Sequence, residues 1–456
     1  MNVAAFDHLR VTFAGDRGGC FPATWGQKDV YRALDAYWPR PIFTVRVTVP
    51  VPPGMDRDRV GAALGWAVER HESLRTTYRH HPGGRVEQVV HRTGTLVVDL
   101  VRIEDDVNPD AVQLDAHQAP FRPATDLPVR AALLLRHRAP IAVVLEVSRL
   151  SLDGAGGRLL RRELARKLHG EPVDARVPPQ PADRAAVECS PEGCLTSARA
   201  VAQMRAVMES GRLRAFEPAH DCAQPSPRWP RVRMTSPALG AAVIRLASRH
   251  RTTTSAVHLA LLALLVAACG GPADFAIGVV CSNRWLPDAD RYVGTLSQFA
   301  AVRVDLRVGD VGELLRSTQR DSLEALANAC YDVDELIAGG QPQGARAVDC
   351  VFNNNQRGVA LRRGNDPVTL LERTEVEDLA PFPPASWRRS VHLVVAGPAD
   401  VPRLSLCLDR QAVAGVVVGT LLTRMERAVV RLAAEDGEAG TTVGELVERL
   451  RGAGDG

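Results

Sequence analysis

Segments with the hydrophobic spacing of strands and segments with the spacing of helices alternate along nearly the whole chain. Residues 42–50 (IFTVRVTVP) are rich in β-branched residues, which is typical of a strand, and residues 56–71 carry apolar side chains at helical spacing. Residues 127–136 and 141–147 again have the pattern of strands. This alternation, without a heptad or an internal repeat, predicts an α/β fold with mixed sheets, of the α+β sandwich kind.

The chain is long enough for more than one domain. Its 456 residues are about three times the usual length of a single domain. Residues 171–191 are rich in proline and poor in large apolar side chains, which is typical of a linker. We therefore predict an N-terminal lobe over residues 1–175, a linker over 176–195 and a C-terminal lobe over 196–456.

The composition excludes several classes of protein. The formal net charge is only +3 and aromatic residues make up 5%, so we expect no nucleic-acid partner and no membrane partner. The N-terminus lacks the apolar core of a signal peptide, and the longest apolar run, residues 259–269, is too short to cross a bilayer. We therefore expect a cytoplasmic location. Nine scattered cysteines without a CxxC pair predict neither a disulfide framework nor a metal site.

Four segments are informative because of the order in which they occur. Residues 24–27 (TWGQ) come first, then 70–76 (RHESLRT), 148–154 (SRLSLDG) and 293–303 (VGTLSQFAAVR). In this order they resemble the core motifs of the condensation domains of nonribosomal peptide synthetases, which belong to the superfamily of chloramphenicol acetyltransferase. The resemblance covers residues 24–433. It implies two lobes of the chloramphenicol acetyltransferase type, arranged in a V with a tunnel between them.

One of these segments departs from the family pattern. The family carries HHxxxDG, whose second histidine is taken to deprotonate or orient the attacking amine. In this chain the two histidine positions are occupied by Ser148 and Arg149, whereas the Asp and Gly positions are retained. The resemblance implies an ion pair between Asp153 and Arg284. It gives structural roles to four residues: Asp153, Gly154, Arg284 and Arg75.

The replacement changes the chemistry that this loop can perform. A guanidinium stays protonated in proteins, so Arg149 cannot act as a general base. Two routes remain open. An amine that attacks an activated thioester can react through positioning alone, with Arg149 stabilising the oxyanion. Alternatively, the base comes from another segment, and His392 in the predicted strand 390–395 is the candidate. Ser148 completes the set of catalytic candidates.

Amide side chains are the candidates for substrate binding. Gln298 stands where the family pattern has asparagine, and three asparagines follow one another at the end of a predicted strand: Asn353, Asn354 and Asn355. The opposing interpretation is that Arg149 is a drifted residue in an inactive site and that His392 is an ordinary half-buried histidine. The asparagines would then be the polar end of a strand.

A row of arginines follows the SRLSLDG segment at helical spacing: Arg158, Arg161, Arg162 and Arg166. They form either a solvated helix face or a docking surface for an acidic carrier protein.

The sequence thus favours a free-standing condensation-domain-like protein that acts in trans in bacterial natural-product biosynthesis. Its substrates would be acyl or peptidyl thioesters on the phosphopantetheine arm of a carrier protein, with a small-molecule amine or alcohol as acceptor. The reaction would form an amide or an ester, or would close a ring, without a bound cofactor or metal. The alternative is a catalytically inactive module that recruits a carrier protein or a partner enzyme.

Overall fold

The computed structural model describes residues 2–37, 44–82, 84–114, 119–216, 226–338, 347–356, 366–381, 389–435 and 441–452. The chain divides into two compact units. The first unit comprises Met1–Ser197, Ser282–Gln298 and Tyr331–Asp334. The second unit comprises Ala198–Cys281, Phe299–Cys330 and Glu335–Gly456. Two short segments of the predicted C-terminal lobe therefore belong to the first unit.

The first unit alternates strands and helices, as the hydrophobic spacing predicts. Its strands are β1 (Asn2–Val3), β2 (Asp7–Ala14), β3 (Gly19–Pro22), β4 (Thr44–Pro50), β5 (Thr76–His80), β6 (Val86–Val90), β7 (Thr93–Arg102), β8 (Gln113–Leu114), β9 (Val129–Arg136) and β10 (Ala139–Ser148). Its helices are α1 (Trp25–Tyr37), α2 (Arg57–Arg70), α3 (Gly154–Leu168) and α4 (Pro181–Glu188), and α5 (Pro191–Ser210) begins in it.

A five-stranded sheet, in the order β2-β7-β9-β10-β4, forms the centre of the first unit. Strands β3, β6 and β5 form a smaller sheet, and β1 pairs with β8. Helices α2 and α3 place Leu64 and Leu160 in one buried core with Leu133 and Leu145 of the central strands. Burying apolar side chains of this size contributes about 1.5–3 kcal/mol each, so this core holds α3, and the loop before it, against the sheet.

The second unit contains the remaining elements of the described chain. Its strands are β11 (Arg231–Thr235), β12 (Asp274–Cys281), β13 (Gln298–Asp305), β14 (Cys350–Asn354), β15 (Glu375–Leu379), β16 (Val391–Ala396) and β17 (Arg403–Leu408). Its helices are α6 (Pro237–His250), α7 (Thr254–Ala268), α8 (Val311–Ala327), α9 (Val333–Ala338), α10 (Val418–Ala434) and α11 (Val443–Arg451). The strands form one mixed sheet in the order β13-β12-β14-β16-β17-β11-β15.

The two faces of the seven-stranded sheet differ in exposure. Along β16, Val391, Leu393 and Val395 are buried on the face that α7 and α10 contact, whereas His392 and Val394 on the other face are half-buried. This alternation follows from the period of two along a strand. The face that carries His392 is therefore the less buried face of this sheet.

The proline-rich segment that predicts a linker contains more secondary structure than expected. Within residues 176–195 the structure has all of α4 and the start of α5. Two prolines stand at helix starts, Pro181 and Pro191, where the missing N–H group leaves no helical hydrogen bond unmade. The prolines of this segment therefore belong partly to the first turns of two helices and partly to the irregular chain before α4.

Within the described residues, no single helix is long and apolar enough to cross a bilayer, although α6 and α7, which meet at 107°, would pass that test together by length and composition.

Candidate functional site

The loop of residues 148–153 connects the last strand of the central sheet to α3. Strand β10 ends at Ser148, whose main-chain carbonyl accepts hydrogen bonds from Ser151 N (2.9 Å) and Leu152 N (3.1 Å). The Ser148 hydroxyl is buried and accepts a longer bond from Leu150 N (3.4 Å). Asp153 then caps α3 by accepting from Gly156 N at 2.7 Å. The loop is thus a compact turn with internal hydrogen bonds.

Asp153 is the centre of this loop. Its side chain is 1% exposed, and both carboxylate oxygens have two donors. Oδ1 accepts from Gly156 N and from Arg284 Nη2 at 2.5 Å, and Oδ2 accepts from Leu296 N (2.9 Å) and Ser297 N (3.2 Å). The predicted ion pair with Arg284 is therefore present, within a larger set of bonds. A buried carboxylate with this number of donors is fully satisfied.

Arg284 links the Asp153 loop to residues 289–294. Its Nη1 donates to the carbonyls of Ala289 (2.9 Å) and Tyr292 (2.6 Å), and its Nη2 also donates to the carbonyl of Gly294 (3.0 Å). The planar fork of a guanidinium suits several acceptors at fixed positions, which a lysine ammonium would not reproduce. Arg284 thus orders the segment that supplies the other two donors to Asp153.

The glycines at the start of α3 have unequal roles. A Cβ at Gly154, the glycine of the motif, would meet only the Arg158 guanidinium, at an ordinary contact distance of 3.7 Å. At Gly156 a Cβ would lie 2.9 Å from Gly294 O and 2.9 Å from a methyl carbon of Leu152. The close approach of two backbones therefore requires glycine at position 156. The family motif contains Gly154 and therefore suggests that this glycine is the required one. In the sequence, only the run of small residues GAGG indicates that Gly156 is needed.

Arg149 follows the buried Ser148 and is half-buried. Its carbonyl accepts a hydrogen bond from Thr295 Oγ1 at 2.7 Å, so its backbone is fixed to the same segment that binds Asp153. The next turn of the loop rests on Tyr78, whose hydroxyl donates to Leu150 O (3.0 Å) and lies 2.9 Å from Ser151 Oγ. Tyr78 lies in none of the four motifs, and Thr295 lies in the fourth motif but was not predicted to bind the loop, because both contacts join residues that are distant in sequence.

Two other candidates of the first unit have structural contacts. Gln298 is buried, and its amide bonds the main chain of Tyr331 in both directions, donating to the carbonyl at 2.8 Å and accepting from the N–H at 3.4 Å. Both polar atoms of the Gln298 amide thus form hydrogen bonds with the main chain of another segment of the same unit. Arg75 is also buried, and its Nη1 donates to the carbonyls of Arg17 (2.7 Å) and His91 (2.8 Å).

The candidates His392 and Asn353 to Asn355 lie in the second unit. In the register of β14 and β16, Asn353 is opposite Val394 and Asn354 is opposite Val395. Asn353 therefore shares the less buried face of the sheet with His392, whereas Asn354 points to the other face. Asn354 Oδ1 accepts from Gln356 N (2.9 Å), and Asn355 N donates to Val395 O (2.7 Å), which makes this segment a turn at the strand end.

The surroundings of His392 lower its pKa to about 3, because burial disfavours the charged ring and because Arg389 and Arg231 are close. The ring is therefore neutral near pH 7. General-base catalysis is most effective when the pKa of the base lies near the working pH. A base with a pKa about four units below pH 7 accepts a proton weakly, so this environment disfavours His392 as the base.

The row of arginines on α3 is exposed to solvent. Its members are Arg158, Arg161, Arg162 and Arg166. The acidic side chain of this helix, Glu163, points away from the row and is bound by His71 (2.8 Å) and Arg70 (3.2 Å). Helix α3 thus has a cationic exposed face, and the same helix begins directly after its cap, Asp153.

In the described chain, no three His, Cys, Asp or Glu side chains are grouped so as to hold a metal ion.

Comparison with known proteins agrees with the motif order. The family model described as "Condensation domain" matches residues 228–358. Phosphinothricin tripeptide synthetase PhsC of Streptomyces viridochromogenes is 28% identical over 343 residues, which are 71% of this chain and 31% of that protein. Surfactin synthase subunit 2 of Bacillus subtilis is 26% identical over 62% of this chain and 8% of that protein. The chain thus spans less than a third of the length of these relatives.

Solved structures show the same fold. The X-domain from teicoplanin biosynthesis has a TM-score of 0.69 at 17% identity, covering 95% of this chain and 98% of that chain. The starter condensation domain of rhizomide synthetase RzmA has a TM-score of 0.65 at 15% identity, covering 93% and 98%. The predicted α/β fold of the chloramphenicol acetyltransferase type is thereby confirmed.

Proposed function

Because this chain is a relative of the condensation domains of nonribosomal peptide synthetases, we propose that it is an acyl-transferring enzyme of bacterial natural-product biosynthesis. Its donor is an acyl or peptidyl thioester on the phosphopantetheine arm of a carrier protein, and its acceptor is a small-molecule amine or alcohol. The proposal includes action in trans, on a carrier that is a separate protein.

The observation that carries this proposal is the set of bonds around Asp153. Four donors hold its carboxylate, and two of them come from the segment that also binds the Arg149 carbonyl through Thr295. The loop is thus fixed on both sides although its two histidine positions hold other residues. Preorganised geometry of this kind is the main means by which a site lowers a barrier without proton transfer.

Arg149 supplies a permanent positive charge at the second histidine position. In the proposed reaction the acceptor nitrogen forms a bond to the thioester carbonyl carbon, the carbon–sulfur bond breaks, and the proton lost from nitrogen ends on the leaving thiolate. Negative charge develops on the carbonyl oxygen in between, and a nearby guanidinium stabilises it. General-base assistance is typically worth about 10²–10⁴-fold, so an activated thioester can react without it when both partners are positioned.

The cationic face of α3 is the proposed docking surface for the carrier. This face carries four exposed arginines. The helix, Gly154–Leu168, has no exposed acidic residue. Such a surface attracts an acidic partner and raises the rate of encounter in a salt-dependent way. The helix begins at the loop that carries Arg149, so a carrier bound there is near the proposed reaction site.

Intact-protein mass spectrometry of loaded carrier proteins tests the proposal. Carriers loaded separately with aminoacyl and fatty acyl groups are incubated with a mixture of amines and alcohols, with and without this protein. We expect one or more carriers to lose the acyl mass only when the protein is present, with a matching amide or ester product. Carriers that keep their acyl groups under all conditions would contradict an enzymatic function.

A recruiting module is the second candidate, and one observation favours it. The X-domain of teicoplanin biosynthesis, whose fold this chain shares, has been solved as a complex with OxyB. The same mass spectrometry experiment separates the two candidates when it is combined with co-purification. An unchanged acyl carrier that nevertheless co-elutes with this protein would indicate recruitment rather than catalysis.

A further inference from the structure

One cavity of the first unit is lined by none of the residues of the Ser148–Asp153 loop. Its volume is about 520 Å³, which is within the range of small-molecule sites. Apolar walls come from Ala14, Gly15, Trp66, Val177 and Pro178. Gln180 and seven ionisable residues complete the lining: Asp16, Arg17, Glu69, Arg70, Glu72, Arg75 and Asp183.

The arginines of this cavity differ in how their charges are neutralised. Arg17 binds Glu72 through two hydrogen bonds (2.6 and 3.0 Å) and Asp183 through a third (2.6 Å). Arg70 binds Glu163 at 3.2 Å. These two guanidinium groups therefore have carboxylate partners at hydrogen-bond distance.

Arg75 lacks such a partner within the described residues. It is 2% exposed, and its two hydrogen bonds, both from Nη1, go to main-chain carbonyls. Its Nη2 is 4.0 Å from Glu72 Oε1, beyond hydrogen-bond distance, and its Nε has no hydrogen-bond acceptor in the described chain. A buried cation that keeps an unused donor at a cavity wall favours binding of an anion there.

The opposite sign of charge is also present in the wall. Glu69 Oε1 accepts a hydrogen bond from Ala14 N at 3.0 Å, and neither Glu69 nor Asp16 forms an ion pair among the described residues. Glu72 has the largest electrostatic effect of any carboxylate on Arg75, and Asp16 and Glu69 act on it in the same direction. The cavity therefore combines a buried cation whose paired carboxylate, Glu72 at 4.0 Å, is hydrogen-bonded to Arg17 instead, two exposed carboxylates without an ion pair in the described chain, and an apolar wall.

We propose that this cavity binds a free α-amino acid with an apolar side chain. Its carboxylate is bound by Arg75 Nη2, its ammonium group by Glu69 with Asp16, and its side chain contacts Trp66, Val177 and Pro178. A zwitterion neutralises both kinds of charge at once, which neither a simple carboxylate nor a simple amine does. The site is independent of the proposed acyl transfer, and failure of either leaves the other standing.

Isothermal titration calorimetry with two matched sets of compounds tests this site. One set is L-phenylalanine, L-phenylalaninamide and 3-phenylpropanoate, and the other is L-leucine, L-leucinamide and 4-methylpentanoate. The amides lack the carboxylate and the acids lack the ammonium group. We expect at least one amino acid to bind saturably and both of its analogues to bind about tenfold more weakly or worse. Absence of binding by both amino acids, or equal binding within a set, overturns the proposal.

A substitution that preserves the fold assigns the binding to this cavity. Glu69→Gln keeps an acceptor for Ala14 N and removes only the negative charge. We expect it to weaken amino-acid binding about tenfold and not to weaken binding of the matching acid, which carries no ammonium group. Glu104→Gln, at an exposed position of the same unit, is the control and changes neither. Unchanged amino-acid affinity in Glu69→Gln would contradict the assignment, because that variant retains the hydrogen bond of the wild type.

Discussion

Asp153 Oδ1 and Arg284 Nη2 lie 2.5 Å apart, although the two residues are 131 positions apart in the chain. The pair joins the start of α3 to the segment Ser282–Gln298, which belongs to the same compact unit. The other three donors to Asp153 are main-chain N–H groups. Among the described residues, Arg284 is therefore the only positively charged side chain that donates a hydrogen bond to Asp153. The pair therefore determines how the loop before α3 is held.

Asp153→Asn is expected to reduce the free energy of unfolding by about 3–5 kcal/mol, because it removes the buried carboxylate that pairs with the half-buried guanidinium of Arg284. Chemical denaturation monitored by circular dichroism measures this loss. Asp288→Asn is a suitable control, since Asp288 forms an exposed ion pair with Arg291 at 2.7 Å and asparagine tolerates its positive φ of 57°. The control should lose less than about 1 kcal/mol. Equal losses would show that the buried pair has no special role.

Gly156→Ala and Gly154→Ala form a second matched pair. The added methyl group at position 156 would lie 2.9 Å from Gly294 O, so we expect a loss of about 1–3 kcal/mol from the backbone shift that it forces. At position 154 the methyl group finds ordinary contacts, and alanine is the better helix former. Thermal denaturation of the two variants distinguishes them. A larger loss for Gly154→Ala would contradict the steric argument.

Arg149→Ala is expected to reduce acyl transfer by about 10²–10³-fold, the usual effect of removing one oxyanion-stabilising donor. Its unfolding free energy should change by less than about 1 kcal/mol, since the backbone bond from Thr295 is retained. The carrier mass assay measures transfer, and Arg79→Ala, at an exposed position of the same unit, serves as the control. Full activity of Arg149→Ala would remove Arg149 from the mechanism.

Reversing charge on α3 tests the carrier surface. The double variant Arg158→Glu/Arg162→Glu should weaken carrier binding at least about tenfold at low salt and reduce its salt dependence, because both effects come from the same charges. Surface plasmon resonance at several salt concentrations measures both. The matched control is Arg316→Glu/Arg320→Glu, which reverses two exposed arginines of α8. Similar binding by both double variants would place the carrier on another surface.

A buried histidine of α7 makes stability depend on pH. Burial lowers the pKa of His258 to about 4, so the unfolded chain binds this proton more tightly than the folded chain does. The folded state is therefore destabilised as the pH falls from about 6.5 towards 4. Between pH 7 and 5 we expect His258 to account for a loss of about 2 kcal/mol.

His258→Leu should remove that part of the loss, whereas the exposed control His169→Gln should retain it. Urea denaturation at pH 7 and pH 5 measures the difference. An equally steep loss in His258→Leu and in the wild type would show that His258 is not its source.

The sequence predicted much of the local structure with simple periodicity. Residues 56–71 became α2 with Asp56 as its cap, and residues 127–136 became β9 over Val129–Arg136. Such elements are predictable because the period of two or 3.6 is imposed by local geometry and one buried face. The linker was less predictable: proline at the first position of a helix gives the same local signal as proline in an irregular segment.

The candidate site was predicted unevenly, and individual residues show why. The pair of Asp153 and Arg284 followed from a motif, because the resemblance carries long-range information. Gln298 is bound to the main chain of Tyr331, and the pKa of His392 is lowered to about 3, first by burial in the folded chain and then by Arg389 and Arg231. Neither fact could be read from residues nearby in the sequence. Tyr78 and Gly156 were missed for the same reason.

The sequence by itself determined the fold class, the motif order and the permanent charge at position 149, since these depend on residue identity and local spacing. Only the tertiary structure decided which groups neutralise one another. It gave Asp153 four donors, occupied the amide of Gln298 and left Arg75 without a carboxylate at hydrogen-bond distance in the described chain. Hydrogen bonds and ion pairs act over a few ångströms, and the folded chain brings together residues that the sequence keeps far apart.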